Sequence, residues 1–204
     1  MNYIARPNYT EKIKPFIGKQ IIKVLTGQRR VGKSYIMLQL MDFIKEENPA
    51  ANIIYINREL HQFAHIQTNN DLSGYLLDKF STDNANYLFI DEIQEIDSFQ
   101  LTIRSLFAEN KCDIFCTGSD AAMLSGELAT SLSGRYVEIN IHSLSFAEFL
   151  TFHQLVKGSD SLMKYLTYGG MPYLPNIGLH DDLPFEYLKN VYSTILLKDV
   201  VSRE

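Results

Sequence analysis

The stretch of sequence that decides the fold is Gly27-Gln28-Arg29-Arg30-Val31-Gly32-Lys33-Ser34. It fits the pattern G-x-x-x-x-G-K-[ST] at every fixed position. Glycines at both ends allow the backbone to wrap closely around an anion, with successive N–H groups pointing inward. The lysine adds a positive charge for β- and γ-phosphate oxygens, and the serine hydroxyl is a ligand for Mg²⁺. We therefore predict that these residues form a phosphate-binding loop.

The flanks of the loop supply the context that such a motif requires, which is a strand before it and a helix after it. Residues 20–26 are a short apolar run rich in β-branched side chains, which predicts a buried strand. From Ser34 to Glu46, apolar residues recur with the spacing of one helix face. This combination disfavours the alternative, a glycine turn that carries an incidental lysine.

A second informative stretch, Tyr87-Leu88-Phe89-Ile90-Asp91-Glu92-Ile93-Gln94, places two carboxylates directly after an apolar run. This is the form of a Walker B strand, in which Asp91 holds Mg²⁺ directly or through water and Glu92 polarises the attacking water. Two acids at the end of a strand are a weak signal alone. Here they follow the loop after one further predicted strand and two helical patterns, and this order makes the signal strong.

The run Asn110-Lys111-Cys112-Asp113 matches the N-K-x-D pattern that reads guanine in GTPases. In GTPases the pattern follows a buried strand, so that its side chains reach the base. Here it precedes the predicted strand 114–117 and falls at the opposite edge of the sheet from the nucleotide. We therefore interpret it as a helix-to-strand turn and predict ATP rather than GTP.

Two further residues are candidates for catalysis. Ser119 follows the strand 114–117, where a hydroxyl could sense the γ-phosphate or hold the attacking water, although it equally suits the cap of a short helix. Arg135 begins a fifth predicted strand on a glycine hinge, from which it could reach a γ-phosphate in the same or a neighbouring subunit. The alternative for Arg135 is a surface ion pair.

Composition limits the class of protein. The 204 residues are enough for one full α/β domain with a small appendage, and the net charge of -5 argues against a protein that mainly wraps nucleic acid. A local basic cluster of Lys23, Arg29, Arg30 and Lys33 remains, and phosphate binding explains most of its charge. The chain turns polar directly after its first residues and has no long apolar run, so we expect a cytoplasmic protein without a membrane span.

We divide the chain into an ATPase core over residues 1–142 and a small helical lid over residues 143–204. Ser145 with Glu148 three positions later forms a capping box at the start of the second region. A glycine turn at Gly169-Gly170 closes a later helix. The last helical pattern runs to Glu204 without a stop signal, so we expect a truncated chain.

Taken in order, these motifs resemble those of the prokaryotic AAA-type ATPases whose core is normally followed by a C-terminal domain of unknown function. The resemblance implies an α/β P-loop NTPase fold of the AAA/ASCE type. It implies a central parallel five-stranded sheet in the order 5-1-4-3-2 with a small helical extension, and it implies ATP and Mg²⁺ as ligands. The motifs that carry it are Gly27–Ser34, Phe89–Gln94, Thr117–Ser119, Leu132–Arg135, Leu144–Phe149 and Gly169–Pro172.

The resemblance also implies roles for single residues. Lys33 and Ser34 would bind the phosphates and the metal, and Asp91 would bind Mg²⁺. Glu92 would activate water, and Ser119 would occupy the sensor-1 position. Arg135 resembles the arginine-finger region in its placement.

Together these observations predict an ATPase that couples binding and Mg²⁺-dependent hydrolysis of ATP to a conformational change. The alternative is a nucleotide-gated module that binds a protein or a nucleic acid with little hydrolysis. A small-molecule kinase is disfavoured, because the C-terminal region has few arginines. An arginine finger that acts on a neighbouring subunit would require a homo-oligomer. The sequence does not indicate the target on which the protein acts.

Overall fold

The computed structural model describes residues 3–118, 132–180 and 182–195. In these residues the strands form one parallel sheet in the order β2-β3-β4-β1-β5. This is the predicted order 5-1-4-3-2 read from the other side, so the predicted fold class is confirmed. The strands are β1 (Ile22–Thr26), β2 (Asn52–Asn57), β3 (Asn86–Asp91), β4 (Asp113–Thr117) and β5 (Tyr136–Asn140).

The chain divides into two compact units. The first comprises residues 3–27, 33–118 and 132–141, and the second comprises residues 28–32 together with the described residues from 142 onward. The first unit contains the sheet and the helices α1 (Pro7–Ile13), α2 (Lys33–Glu47), α3 (Asn69–Leu76) and α4 (Phe99–Ala108), with 3₁₀ turns at Lys14–Phe16, His61–Phe63 and Ile93–Glu95.

The core of the first unit explains why its strands are apolar. Every residue of β1 is buried, as expected for a central parallel strand with both faces covered. On one face, side chains of the sheet pack with α3 and α4 in a cluster that includes Ile56, Ile90, Leu72 and Ile103. On β3 and β4, Phe89 and Phe115 stack with ring centroids 4.3 Å apart. The core therefore fixes the sheet whose carboxyl edge bears the candidate site.

The second unit is helical, with α5 (Phe146–His153), α6 (Ser159–Tyr168), α7 (Leu174–Ile177) and α8 (Leu183–Ile195). The predicted capping box is present, since Ser145 and Glu148 bond reciprocally at the start of α5. A Cβ at Gly170 would lie 2.3 Å from the carbonyl oxygen of Leu144, so this position requires glycine. The interpretation of this unit as a lid stays a prediction. Among the described helices, none has the length and apolar character needed to cross a membrane.

Candidate active site

The phosphate-binding loop begins at a position where the backbone is tightly constrained. Gly27 has φ +135°, and a Cβ there would lie 2.1 Å from the carbonyl oxygen of Ile141. The approach is close because the chain beyond β5 stays paired with β1, with the Ile141 N–H donating to the Thr26 oxygen at 2.8 Å. Only glycine fits both the conformation and the space. The first fixed glycine of the motif therefore has a steric reason.

Two more residues of the loop have positive φ angles. Gly32 has φ 96°, and Arg30, which is not a glycine, has φ 68°. Successive backbone turns of this kind bring N–H groups into anion-binding concavities. Gln28 and Arg30 are exposed, whereas Val31 is buried. Binding of phosphate by residues 27–34 stays a prediction, which rests on the motif and on this backbone conformation.

Lys33 is the first residue of α2 and is only 4% exposed. Its Nζ donates to the carbonyl oxygen of Gly27 at 2.9 Å and lies 3.6 Å from Oε1 of Glu92. Ser34 follows in the first turn of α2, and the backbone N–H groups and the dipole at the start of a helix favour an anion. The structure thus brings the loop lysine and the second acid of the Walker B stretch together.

Asp91 is the last residue of β3 and is buried. Its Oδ2 accepts a hydrogen bond from the Tyr55 hydroxyl on β2 at 3.1 Å, and its Oδ1 accepts one from the Thr117 hydroxyl on β4. Both partners are neutral hydroxyls, and within the described part of the chain no salt bridge to Asp91 is found. Burial and the Asp91 charge raise the pKa of Tyr55, so its hydroxyl remains a donor at physiological pH.

Glu92 adopts the left-handed conformation, with φ 56° and ψ 53°. Such a conformation is uncommon outside glycine and is found repeatedly at functional sites. The Glu92 N–H donates to Oγ1 of Thr117 at 2.9 Å, and Oε2 accepts a hydrogen bond from the Gln94 side chain. The turn therefore directs the Glu92 carboxylate to Lys33 while Thr117 holds its backbone.

The chemistry of these side chains suits a magnesium ion and a phosphate chain. Mg²⁺ prefers oxygen ligands, and the Ser34 hydroxyl and the Asp91 carboxylate supply them. The Asp91 charge is available to a cation because its protein partners are hydroxyls. Lys33 and the start of α2 complement an anion. The residues present therefore fit a nucleotide with Mg²⁺.

The structure does not bring Arg135 to this group of residues. Arg135 precedes β5, its carbonyl oxygen accepts from the Ile22 N–H at 2.9 Å, and its guanidinium lies 5.7 Å from the centroid of the Phe107 ring. It therefore lies at the amino edge of the sheet, about 16 Å along β5 from the level of Thr26. This placement does not favour action on a phosphate at its own loop, and a role in the same subunit stays a prediction.

A role for Arg135 in a neighbouring subunit stays a prediction. Ser119, the candidate for the sensor-1 position, lies outside the described residues.

The N-K-x-D run lies where the sequence places it, at the amino edge of the sheet. Asp113 begins β4, where its carboxylate pairs with Lys23 and accepts from the Gly18 N–H at 2.8 Å. Burial lowers the pKa of Lys23 and raises the pKa of Asp113, while each charge partly offsets the effect on the other. Lys23, which the sequence groups with Arg29, Arg30 and Lys33, is fully buried, and its charge is paired with Asp113.

Three residues that contact Asp91 or Glu92 were not predicted from the sequence as part of the site: Tyr55, Thr117 and Gln94. Thr117 ends the predicted strand 114–117, but the candidate chosen at this strand end was Ser119. Tyr55 reads as an ordinary strand residue, because its importance follows from the register in which Asn57 pairs with Asp91. That register would have revealed the contact, since residues two apart on a strand share a face.

The fold and these residues define the class of P-loop NTPases. A family profile described as an AAA domain matches residues 19–150. The chain belongs to this AAA family. An uncharacterized protein of Haemophilus influenzae is 36% identical over 206 residues, an alignment that covers 98% of this chain and 51% of the relative. The chain therefore spans about half the length of the relative.

Solved structures of AAA-type proteins share the fold at low sequence identity. Hsp104 of S. cerevisiae, in its ADP complex, has a TM-score of 0.64 at 13% identity, covering 98% of this chain and 33% of Hsp104. AMPPCP-bound DnaA from Aquifex aeolicus has a TM-score of 0.57 at 15% identity, covering 99% of this chain and 72% of DnaA. The comparisons therefore show the AAA family and its fold.

Proposed function

We propose that this protein binds ATP with Mg²⁺ and hydrolyses it, and that the nucleotide state changes its conformation. The observation that carries the proposal is the position of Glu92, whose carboxylate lies 3.6 Å from the Nζ of the loop lysine. Asp91, the preceding residue, ends β3, so the two acidic residues lie at the same edge of the sheet. An anion site and a pair of carboxylates at one edge are what hydrolysis of a phosphoanhydride requires.

Each residue has a distinct part in this proposal. The loop 27–32 and the first turn of α2 bind the phosphates. When ATP binds, Lys33 Nζ leaves its contacts with the Gly27 carbonyl oxygen and the Glu92 carboxylate and contacts β- and γ-phosphate oxygens instead. Bound Mg²⁺, held by Ser34 and Asp91, would neutralise developing charge on the phosphates. Glu92, freed from Lys33, accepts a proton from the attacking water. Gln94 orients the Glu92 carboxylate through its hydrogen bond.

The choice of ATP has two supports. The N-K-x-D run that would read guanine lies at the far edge of the sheet, with its aspartate engaged by Lys23. Hsp104 and DnaA, which share the fold, were solved with ADP and AMPPCP respectively, both adenine nucleotides. We propose that the target is a protein or a nucleic acid, and that Arg135 acts, if at all, across a homo-oligomer.

The test compares two substitutions in the same turn. Glu92→Gln removes the base and keeps the size of the side chain, so we expect ATP binding to persist and turnover to fall to background. Glu95→Gln is the matched control, because Glu95 is exposed three residues further along the same turn. It should retain both properties. Binding is measured as thermal stabilisation, since ligand at 100 times its Kd adds about 2.7 kcal/mol.

Turnover is assayed with ATP and GTP, with and without DNA, beside the size of the protein in solution. Unchanged turnover in Glu92→Gln would contradict the assignment of the base. Wild-type protein that ATP stabilises but that shows no turnover in any of these conditions would instead support the nucleotide-gated binding module. Equal turnover of GTP would contradict the argument from the N-K-x-D run.

A further inference from the structure

We propose that Tyr55 is a positioning residue, whose hydroxyl fixes the orientation in which Asp91 presents its carboxylate to the metal. The proposal deepens the function argued above and rests on it. Tyr55 touches neither phosphate nor water in this account, and it acts only through Asp91. The observation that carries it is the hydrogen bond of 3.1 Å from the Tyr55 hydroxyl to Oδ2 of Asp91.

The register of the sheet puts Tyr55 in place. Asn57 on β2 is the register partner of Asp91 on β3, and Tyr55 lies two residues before Asn57. Side chains two residues apart on a strand point to the same face, so Tyr55 and Asp91 share a face across neighbouring strands. The tyrosine side chain is long enough for its hydroxyl to reach the Asp91 carboxylate from a backbone position two residues before the register partner of Asp91.

The direction of the hydrogen bond is also fixed. The Nδ2 group of Asn57 donates to the Tyr55 hydroxyl oxygen at 3.3 Å, so this oxygen already serves as an acceptor. The hydroxyl proton is then directed to Asp91, whose ionised carboxylate can accept hydrogen bonds but cannot donate them. A chain of three side chains, from Asn57 through Tyr55 to Asp91, therefore ends on the carboxylate oxygen.

Tyr55 acts together with Thr117, which lies on the opposite flanking strand. Thr117 donates to Oδ1 of Asp91, so each carboxylate oxygen is held from a different side of β3. Rotation of the carboxylate would break both bonds. Each oxygen retains a further lone pair, and the donors are neutral, so the arrangement orients the carboxylate without cancelling the charge that attracts Mg²⁺. A lysine or arginine in either place would orient Asp91 but compete with the metal.

The test removes one hydroxyl in each of two tyrosines of the sheet. Tyr55→Phe deletes the donor to Asp91, whereas Tyr87→Phe deletes a hydroxyl from a half-buried tyrosine near the amino edge of β3. Mn²⁺ is the probe, and its affinity for the protein–ADP complex is measured by electron paramagnetic resonance. We expect Tyr55→Phe to weaken Mn²⁺ affinity by about 10-fold or more, as is typical when an outer-shell partner of a metal ligand is lost. Tyr87→Phe should match the wild type.

Two further readouts separate positioning from general damage. The affinity for ADP in the presence of EDTA should be unchanged in Tyr55→Phe, and its ATP turnover should recover as the Mg²⁺ concentration rises. If Tyr55→Phe lowers the melting temperature, Asn57→Ala replaces it, because this variant keeps the tyrosine. It removes the donor to the tyrosine oxygen, together with the Oδ1 atom that accepts from the Glu59 N–H at 2.9 Å. It should also weaken Mn²⁺ affinity, by a smaller factor.

Equal Mn²⁺ affinity in Tyr55→Phe and Tyr87→Phe, with normal binding by the wild type, overturns this inference alone. Wild-type protein that binds no Mn²⁺ in the presence of ADP overturns the proposed function and this inference with it. A loss of ADP affinity in EDTA as large as the loss of Mn²⁺ affinity also overturns the inference, since it would show a general defect of the site.

Discussion

Gly27→Ala tests whether the close approach of two strand ends builds the phosphate-binding loop. The added methyl group would lie 2.1 Å from the carbonyl oxygen of Ile141, at a backbone conformation with φ +135° that alanine rarely adopts. The opposing atom belongs to the backbone of a paired strand, so it cannot move aside as a flexible side chain would. We therefore expect the loop to be displaced or the pairing beyond β5 to be lost.

The expected cost has two parts. Holding a residue in a sparsely populated backbone region costs about 1–3 kcal/mol, and forcing an extra methyl group into a packed site costs about 1–3 kcal/mol. Gly27→Ala should thus lower the free energy of unfolding by about 2–6 kcal/mol. Gly18→Ala is the matched control, because Gly18 has φ +71° but no atom within 4 Å of the position that a Cβ would occupy. It should lose only the conformational part, about 1–2 kcal/mol.

The assay is urea unfolding of both variants, with ATP binding measured in parallel. Gly27→Ala should be less stable than Gly18→Ala by about 1 kcal/mol or more and should lose affinity for ATP, while Gly18→Ala should keep it. If the two variants unfold at the same urea concentration and both bind ATP normally, the steric account of the loop is wrong.

Two more predictions concern buried charges. Lys23→Met and Asp113→Asn each leave the other member of the buried pair uncompensated, so each should lower the free energy of unfolding in urea by about 3–5 kcal/mol. The double variant should lose less than the sum of the two single losses. Strictly additive losses would refute the pairing. Burial, with a smaller effect of Lys164, lowers the pKa of His153 in the folded protein. The neutral imidazole therefore contributes stability that is present above about pH 6.5, the ordinary pKa, and is lost as the pH falls through the pKa of the folded protein. An NMR titration should place the pKa of His153 below 6.5, and His153→Phe should flatten the decline in stability at acid pH; a value at or above 6.5 would contradict this.

The sheet could be predicted from the sequence because its strands have recognisable local patterns. β1 to β4 are short, mainly apolar runs, whereas β5 alternates apolar and polar residues. The two informative motifs directly follow β1 and end β3. The order of the strands came from the resemblance to AAA-type ATPases and is confirmed. Local signals such as the capping box at Ser145 were also sufficient, because that interaction spans only one helical turn.

The rest of the candidate site depends on distances that a sequence does not contain. Tyr55 and Thr117 meet Asp91 through the register of three strands, and no local pattern distinguishes them from core residues. The edge of the sheet at which Arg135 lies follows from its position before β5, where Ile22 pairs with Tyr136. Lys23 was grouped with the basic residues of the loop because the sequence does not show that Asp113 lies beside it.

The pairing of β1 has a consequence for the synthesis of the chain. Lys23 on β1 pairs with Phe115, and Ile22 pairs with Tyr136, so both neighbours of this central strand are made long after it. At ordinary rates of translation the ribosome needs roughly 5 to 20 s to add the intervening residues. During that time an apolar strand waits with two open edges, and such edges are templates for aggregation. Fragments that end before Tyr136 should therefore aggregate, however well they preserve the phosphate-binding loop.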